Sequence, residues 1–482
     1  MFQNHTPLSL KEKICYGIGD VANGLAVSSV ALWFLKYLTD VAGLQAVYAG
    51  LAIAIGRVWD AVTDPLMGWI ADHTDTRWGK RRPYLLFGAL PYALSFFSLW
   101  IVPEFTDQVH LFAYVTVTLI LFNTFLTVVF VPYTSLTAAI TNDYNERTSL
   151  TGYRMTLSQT AMLIGSALPA TIVAWSISEK GQGFLATFGL DIFFGDWFGS
   201  ARSGYTIMAA AFALIMIVSI LTSFKGTREK DTGLEKPEVV TPFSYASSIV
   251  SQLVNNHPYR SSVLILLLTN LAASSIAVNL PYYLEYALHI KAKQSILIAT
   301  LFVMATVSVP IWALVTKKYG KAETYRMAMG VYAVVVACLA LLPAGHLTLL
   351  FSLAAVAGCL HGAALMIPWA MVPDVVEHDE LKTGKRREGL FYGGTTFSYK
   401  MATALGVIAS SFVLELVGYA PNEAQTELTV TSMRLLVGPF PAFIILIAAY
   451  IALRHPLNRA KHEKILEALE ERRQQIRLAA GD

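Results

Sequence analysis

Residues 57–83 of this 482-residue chain read RVWDAVTDPLMGWIADHTDTRWGKRRP. Asp60 and Asp64 stand four residues apart in an otherwise apolar segment, and Arg77, Lys80, Arg81 and Arg82 follow at once. A carboxylate in a bilayer is costly, so it normally serves an ion, a proton or a substrate. A short basic loop marks the cytoplasmic side of a membrane protein. The stretch therefore predicts a membrane span that carries a working charge pair and ends at the cytoplasmic face.

The rest of the chain agrees with that reading. Hydrophobic residues make up 55% and charged residues only 14%, against about 25% charged in an average soluble domain. A net charge of +3 gives no footing for nucleic acid; the expected surroundings are a lipid bilayer. Cys15, Cys338 and Cys359 lie in apolar segments, which predicts no disulfide framework. The first apolar run begins near Ile14 and is long enough to span, without a cleavable signal pattern.

Twelve stretches reach spanning length: 14–39, 45–71, 84–102, 109–139, 153–176, 204–224, 261–288, 295–316, 325–343, 347–375, 389–418 and 431–453. With both termini cytoplasmic, only Lys36, Lys180, Arg202, Lys291, Lys293 and Arg434 of the 36 basic residues fall on the outer side, and Arg57 and Lys400 fall inside spans. That asymmetry sets the orientation, in a plasma membrane or a bacterial inner membrane. The longest polar connection, 225–260, divides the spans six and six. The expected organisation is an all-α membrane protein with two pseudo-symmetric six-helix bundles, 1–224 and 261–453, joined by a cytoplasmic loop and followed by a cytoplasmic tail, 454–482.

Two connecting segments stand out. The loop 177–203 is long and rich in Phe and Trp, which fits either a membrane interface or a packed cap. The stretch 461–478 reads as an amphipathic helix with Ile465, Leu466, Leu469, Ile476 and Leu478 on its apolar face. Docking and solvated regulation are both open for it.

Arg57, Asp60 and Asp64 share a helix face at i, i+3 and i+7. Arg57 can neutralise one acid, which leaves the other for a monovalent cation or a proton; the bland alternative is a stabilising ion-pair network. Asp20 and Asn23 share a face of the first span, where Gly17, Gly19 and Gly24 permit close helix approach, so cavity lining and helix packing are both open. Lys400 lies deep in span 11 and needs a partner, for which Asp60 or Asp64 is the natural candidate; Thr396 shares its face. Tyr133 on span 4 and Asn279 on span 7 belong to further polar and aromatic groups of the kind that line substrate cavities. Asp374 and Glu377, in a segment dense in both charge signs, either bridge to Arg77, Arg81, Arg82 and Arg147 as a gate at the cytoplasmic mouth or belong to a solvated loop.

These residues resemble the glycoside–pentoside–hexuronide:cation symporter family, the melibiose-permease branch of the major facilitator superfamily. The family block DxxxDPxxGxxxD…RWGxxRP is met by Asp60, Asp64, Pro65, Gly68, Asp72, Arg77, Trp78, Gly79, Arg82 and Pro83. YGIGD, the PDVVEHDE block and Lys400 also fit, and the likeness covers all twelve spans. It implies two bundles working by alternating access, with the coupling cation at Asp60 and Asp64 and with Lys400 and Thr127 beside them. Arg154 matches a family arginine near the substrate. Melibiose permeases hold sugar hydroxyls with aspartates on spans 1 and 4, where this chain has Gly24 and Phe130, and Thr134 replaces a nearby tryptophan. Thr63 stands where a sodium-using member has asparagine, so Na+ and H+ both stay open.

The expected function is symport of a small polar solute, a glycoside or other carbohydrate, driven by Na+ or H+. Lysolipid transporters of the same superfamily share the paired aspartates and the span 11 lysine, so a lysophospholipid or other amphiphile is the alternative. The chain has no HExxH spacing and no phosphate-cradling glycine loop, which argues against an enzyme. No cofactor beyond the coupling ion is expected, and a monomer suffices.

Overall fold

The computed structural model describes residues 8–141, 144–229, 242–384 and 387–480, and among them every regular element is helical. The helices are α1 Leu10–Ile18, α2 Val21–Ser29, α3 Leu35–Asp40, α4 Ala46–His73, α5 Arg82–Leu99, α6 Gln108–Ile140, α7 Tyr144–Ile177, α8 Glu179–Ala186, α9 Leu190–Phe194 and α10 Ala201–Gly226. Then come α11 Pro242–Asn255, α12 His257–Tyr282, α13 Gln294–Tyr319, α14 Lys321–Leu341, α15 Leu347–Thr383, α16 Glu388–Leu416, α17 Glu427–Val437, α18 Pro439–Leu453 and α19 Arg459–Ala480.

Among the described residues, eleven helical segments are long and apolar enough to cross a membrane, from Leu10–Asp40 to Glu427–Leu453. They match eleven of the expected spans within a few residues, except that Leu347–Thr383 runs past the expected end at 375. The remaining one, at 84–102, is α5, a shorter helix with Arg82 and Pro83 in its first turn. Proline fits there because the first amides of a helix have no intrahelical acceptor.

Local chemistry sets the ends and breaks. Ser9 and Glu12 cap α1 reciprocally: the Ser9 hydroxyl accepts from the Glu12 amide at 3.2 Å, and the Ser9 amide donates to Glu12 Oε2 at 2.9 Å. The first span, Leu10–Asp40, is not one regular α-helix. It is interrupted between α1 and α2 at Gly19 and Asp20, and again by a π-helical turn at Val30–Phe34. Such turns mark functional or strained places in helices.

The chain divides into two compact units. The first comprises 1–238 with 280–299 and 407–430. The second comprises 239–279, 300–406 and 431–482. In the first unit α2 packs on α7 and α4 on α6. Gly24 explains the close approach of α2: a Cβ there would lie 2.5 Å from the Ser158 carbonyl oxygen of α7. The glycine face of the first span thus serves helix packing. An aromatic cluster of Phe34, Tyr37, Phe96, Trp100 and Tyr205 fills the unit's core.

The core of the second unit runs along α14, α15 and α18 and includes Tyr325, Met329, Ala363, Ile367, Ile445 and Ala448. A smaller cluster joins Ile465 and Leu469 of α19 to Tyr259, Val372, Val375 and Phe391. The tail helix is therefore docked. Two buried aliphatic side chains contribute roughly 1.5–3 kcal/mol each to such docking. Leu466 is exposed, which narrows the expected apolar face. The side chains of Ile476 and Leu478 lie outside the described residues, as do 230–241 of the middle loop.

Candidate functional site

Asp60 and Asp64 sit one turn apart on α4, immediately before Pro65, and face α6. Three contacts fix the register of the two helices. Gly56 lets the Asn123 amide lie close against α4, and the Trp59 indole donates to Thr124 Oγ1 at 2.8 Å. One turn further, Thr127 Oγ1 lies 3.0 Å from Asp60 Oδ1 and 3.1 Å from Asp64 Oδ1. Thr63 Oγ1 is 3.4 Å from Thr127 Oγ1. Asp60 is only 3% exposed.

One hydroxyl thus bridges two carboxylates. It owns a single proton and cannot donate fully to both. A cation or a proton can join two carboxylates that share one hydroxyl. The oxygen-only set, two carboxylates and two hydroxyls, suits a hard ion. Arg57 is one turn earlier on α4 and half-buried, and the Asp72 side chain lies outside the described residues.

A second cluster surrounds Asp20. Asn23 Nδ2 donates to Asp20 Oδ1 at 3.1 Å, and Arg154 Nε from α7 stands 3.6 Å from Asp20 Oδ2, a charge pair rather than a hydrogen bond. The structure thus brings together three of the expected substrate residues. Tyr133 is beside them in the same unit, but its hydroxyl donates to the Tyr16 carbonyl oxygen at 2.5 Å and its ring stacks on Tyr16. Tyr133 therefore ties α6 to α1. Gly24 is packed against α7, and Phe130 is buried against Tyr92 and Tyr133. Neither position offers a polar group of its own.

In the second unit Asn279 is fully buried on α12, and its amide donates to the Ser275 carbonyl oxygen at 2.8 Å. Lys400 and Thr396 lie one turn apart on α16, both half-buried. Ser274 of α12 donates to the Thr403 carbonyl oxygen at 3.1 Å, which holds α12 against α16 near Lys400.

Each of the residues expected at the gate has a partner in the structure. The backbone amides of Arg81 and Arg82 both donate to Glu229 Oε1 at 2.8 Å, and the Arg82 guanidinium donates to the Phe224 carbonyl oxygen at 2.8 Å. Arg77 covers the Trp78 ring at 4.1 Å, and Arg147 Nε donates to the Thr141 carbonyl oxygen at 2.7 Å. Asp374 accepts from Lys321 at 2.5 Å, and Glu377 pairs with His462 of the tail helix at 2.6 Å. His462 is a partner that the sequence reading did not single out.

One further cluster escaped that reading. Lys36 Nζ lies 2.8 Å from Asp40 and 2.8 Å from Glu285, and Glu285 also pairs with Lys291 at 2.6 Å. Tyr286 and Tyr419 donate to Asp40 at 3.1 and 2.5 Å. Burial pushes the Tyr419 hydroxyl pKa up, which keeps it a donor. The available signal was the i, i+4 pair Lys36–Asp40 at the end of a span.

These long apolar helices make the chain a multi-pass membrane protein. A family model described as MFS/sugar transport protein matches residues 15–459, and the chain belongs to that family. An uncharacterized symporter of Synechocystis sp. is 30% identical over 97% of this chain and 98% of its own length. Sodium-dependent lysophosphatidylcholine symporter 1-A of Danio rerio is 28% identical over 95% of this chain and 87% of its own. Among solved structures, a bacterial homolog of the human lysosomal transporter Spinster, inward-facing and occupied, superposes with a TM-score of 0.69 at 13% identity, over 94% of this chain and 97% of that one. The fold is that of the major facilitators.

Proposed function

We propose that this chain is a symporter that couples Na+ or H+ at Asp60, Asp64 and Thr127 to the movement of an organic solute. The observation that carries the reading is the single Thr127 hydroxyl within 3.0 and 3.1 Å of two carboxylates. A difference in cation affinity between two states of the carrier is what couples the gradient to transport. Lys400 keeps the coupling role that the family resemblance gives it. Both termini face the cytoplasm, as the basic loops indicate.

For the cargo, Asp20 and Arg154 offer an acceptor and a set of donors side by side, which suits a carbohydrate's hydroxyls. A second reading, a lysophospholipid or other amphiphile, draws support from two observations. Gly24 and Phe130 pack where melibiose permeases hold sugar, and the Danio rerio relative carries lysophosphatidylcholine in its name.

The test is uptake into proteoliposomes under an imposed Na+ or H+ gradient, with glycosides, hexuronates and lysophosphatidylcholine as cargo. Gradient-driven uptake of one class identifies the cargo. Uptake that persists unchanged in Asp64→Ala, with the same gradient dependence, refutes the coupling site.

A further inference from the structure

The loop 177–203 leaves α7 by a tight reversal. Ser178 Oγ caps α8 by accepting from the Gly181 amide at 3.2 Å, and Gln182 Nε2 donates back to the Ile177 carbonyl oxygen at 2.7 Å. A Cβ at Gly181 would lie 1.9 Å from the Trp175 carbonyl oxygen, so only glycine permits the turn. The far end of the loop is also pinned. Trp197 Nε1 donates to Glu104 at 2.9 Å, and Arg202 pairs with Glu104 at 2.5 Å, donates to the Val102 carbonyl oxygen and lies over the Trp197 ring. The loop is a built structure held at both ends.

Its apolar side chains nevertheless do not fold inward. Only Leu185 and Phe194 are buried, whereas Phe184 is 55% exposed, Phe188 68%, Ile192 85% and Phe193 74%. On α8 Gly181, Leu185 and Phe184 occupy one arc of the helix, Glu179, Lys180, Gln182 and Gly183 occupy the rest, and Phe188 follows in the turn beyond it. Part of that arc packs on the protein and the adjoining part is bare. The bare part continues a surface that already belongs to a membrane span. Trp175, exposed on the last turns of α7, meets Phe184 at 5.7 Å between ring centroids, and Phe184 meets Phe188 at 5.1 Å. Below Trp175 the exposed apolar side chains Leu168 and Ile164 carry the strip down α7.

We propose that α8 and α9 form a membrane-interface anchor that buries Phe184, Phe188, Ile192 and Phe193 at the boundary between lipid headgroups and acyl chains. Two observations commit the surface to lipid. Its α8 part runs on from a bilayer span through Trp175, Phe184 and Phe188, and it is built largely of the aromatic residues that favour that depth. A soluble protein rarely leaves such a patch bare. The anchor fixes the end of α7, and so the level of the helix that carries Arg154, relative to the bilayer surface.

The test is depth measurement by nitroxide labels in lipid nanodiscs. The background carries Cys15→Ser, Cys338→Ser and Cys359→Ser. Labels are placed one at a time at Phe188→Cys and Phe193→Cys, at Lys180→Cys and Asp196→Cys as aqueous controls, and at Val218→Cys, exposed on α10, as a membrane control. The anchor predicts that dissolved oxygen relaxes the labels at 188 and 193 more than a water-soluble nickel chelate does, as at 218, with the order reversed at 180 and 196. Nickel access at 188 and 193 equal to that at 180 overturns the proposal. So does dipolar broadening between copies at 193, which makes the patch a self-association surface. Immobile labels at 188 and 193 shielded from both reagents mean a packed cap and overturn it as well.

Discussion

Replacing Thr127 with valine isolates the hydroxyl on which the cation site rests. Valine has nearly the same shape, so the packing of α6 on α4 is retained while the oxygen at 3.0 and 3.1 Å from Asp60 and Asp64 is lost. A hydrogen bond to a charged group contributes about 1.5–3 kcal/mol, and a cation loses one ligand oxygen besides. At about 1.4 kcal/mol per decade, Na+ affinity in Thr127→Val falls roughly tenfold to a hundredfold or slightly more. Thr127→Ser keeps the oxygen and stays within a few-fold of the parent. Thermal stabilisation of the purified protein, titrated with NaCl, reads that affinity. An unchanged Na+ dependence in Thr127→Val refutes the reasoning.

Three other perturbations follow. Lys36→Met removes the cation 2.8 Å from both Asp40 and Glu285 and leaves two buried acids short of charge. The expected loss is about 3–5 kcal/mol, seen as a lower melting temperature and largely recovered when Asp40→Asn and Glu285→Gln are added. Gly24→Ala forces a Cβ to within 2.5 Å of the Ser158 carbonyl oxygen and costs about 1–3 kcal/mol in the same assay; an unaffected melting temperature contradicts the packing role. His455, beyond the last span and bonded to Ser261 at 2.8 Å, is pushed down by burial to about 4 from 6.5. Its folded value is below its unfolded one, so its contribution is complete above pH 6.5 and is lost as pH falls towards 4. That amounts to up to about 3 kcal/mol and is absent from the pH–stability profile of His455→Gln.

The spans were legible because a bilayer sets a minimum apolar length that no loop meets by accident. α5 was the least typical, since Arg82 and two prolines stand in it, yet its run of Leu and Phe still marked it. Asp60 and Asp64 were legible because charge is rare where they stand. Thr127 was not distinguishable from other span threonines by composition and came only from the family resemblance. The packing role of Gly24 needed the position of Ser158 on another helix. The Lys36–Glu285 pair joins residues far apart in sequence, and the orientation count had set Lys36 down simply as an outer-side charge. The tail was read as amphipathic, but the surface that Ile465 and Leu469 dock on, and the pairing of His462 with Glu377, have no local signature.

Pro65 has one more consequence. It sits inside α4 directly after Asp64 and has no amide hydrogen, so the Ala61 carbonyl oxygen lacks the donor that its neighbours find one turn on. The rung missing from the α4 ladder lies between the two carboxylates. Proline positions are where long helices bend most easily. The stiffness of α4 is therefore lowest at the level where its charge changes on cation binding, which places mechanical compliance and electrical load in the same turn of helix.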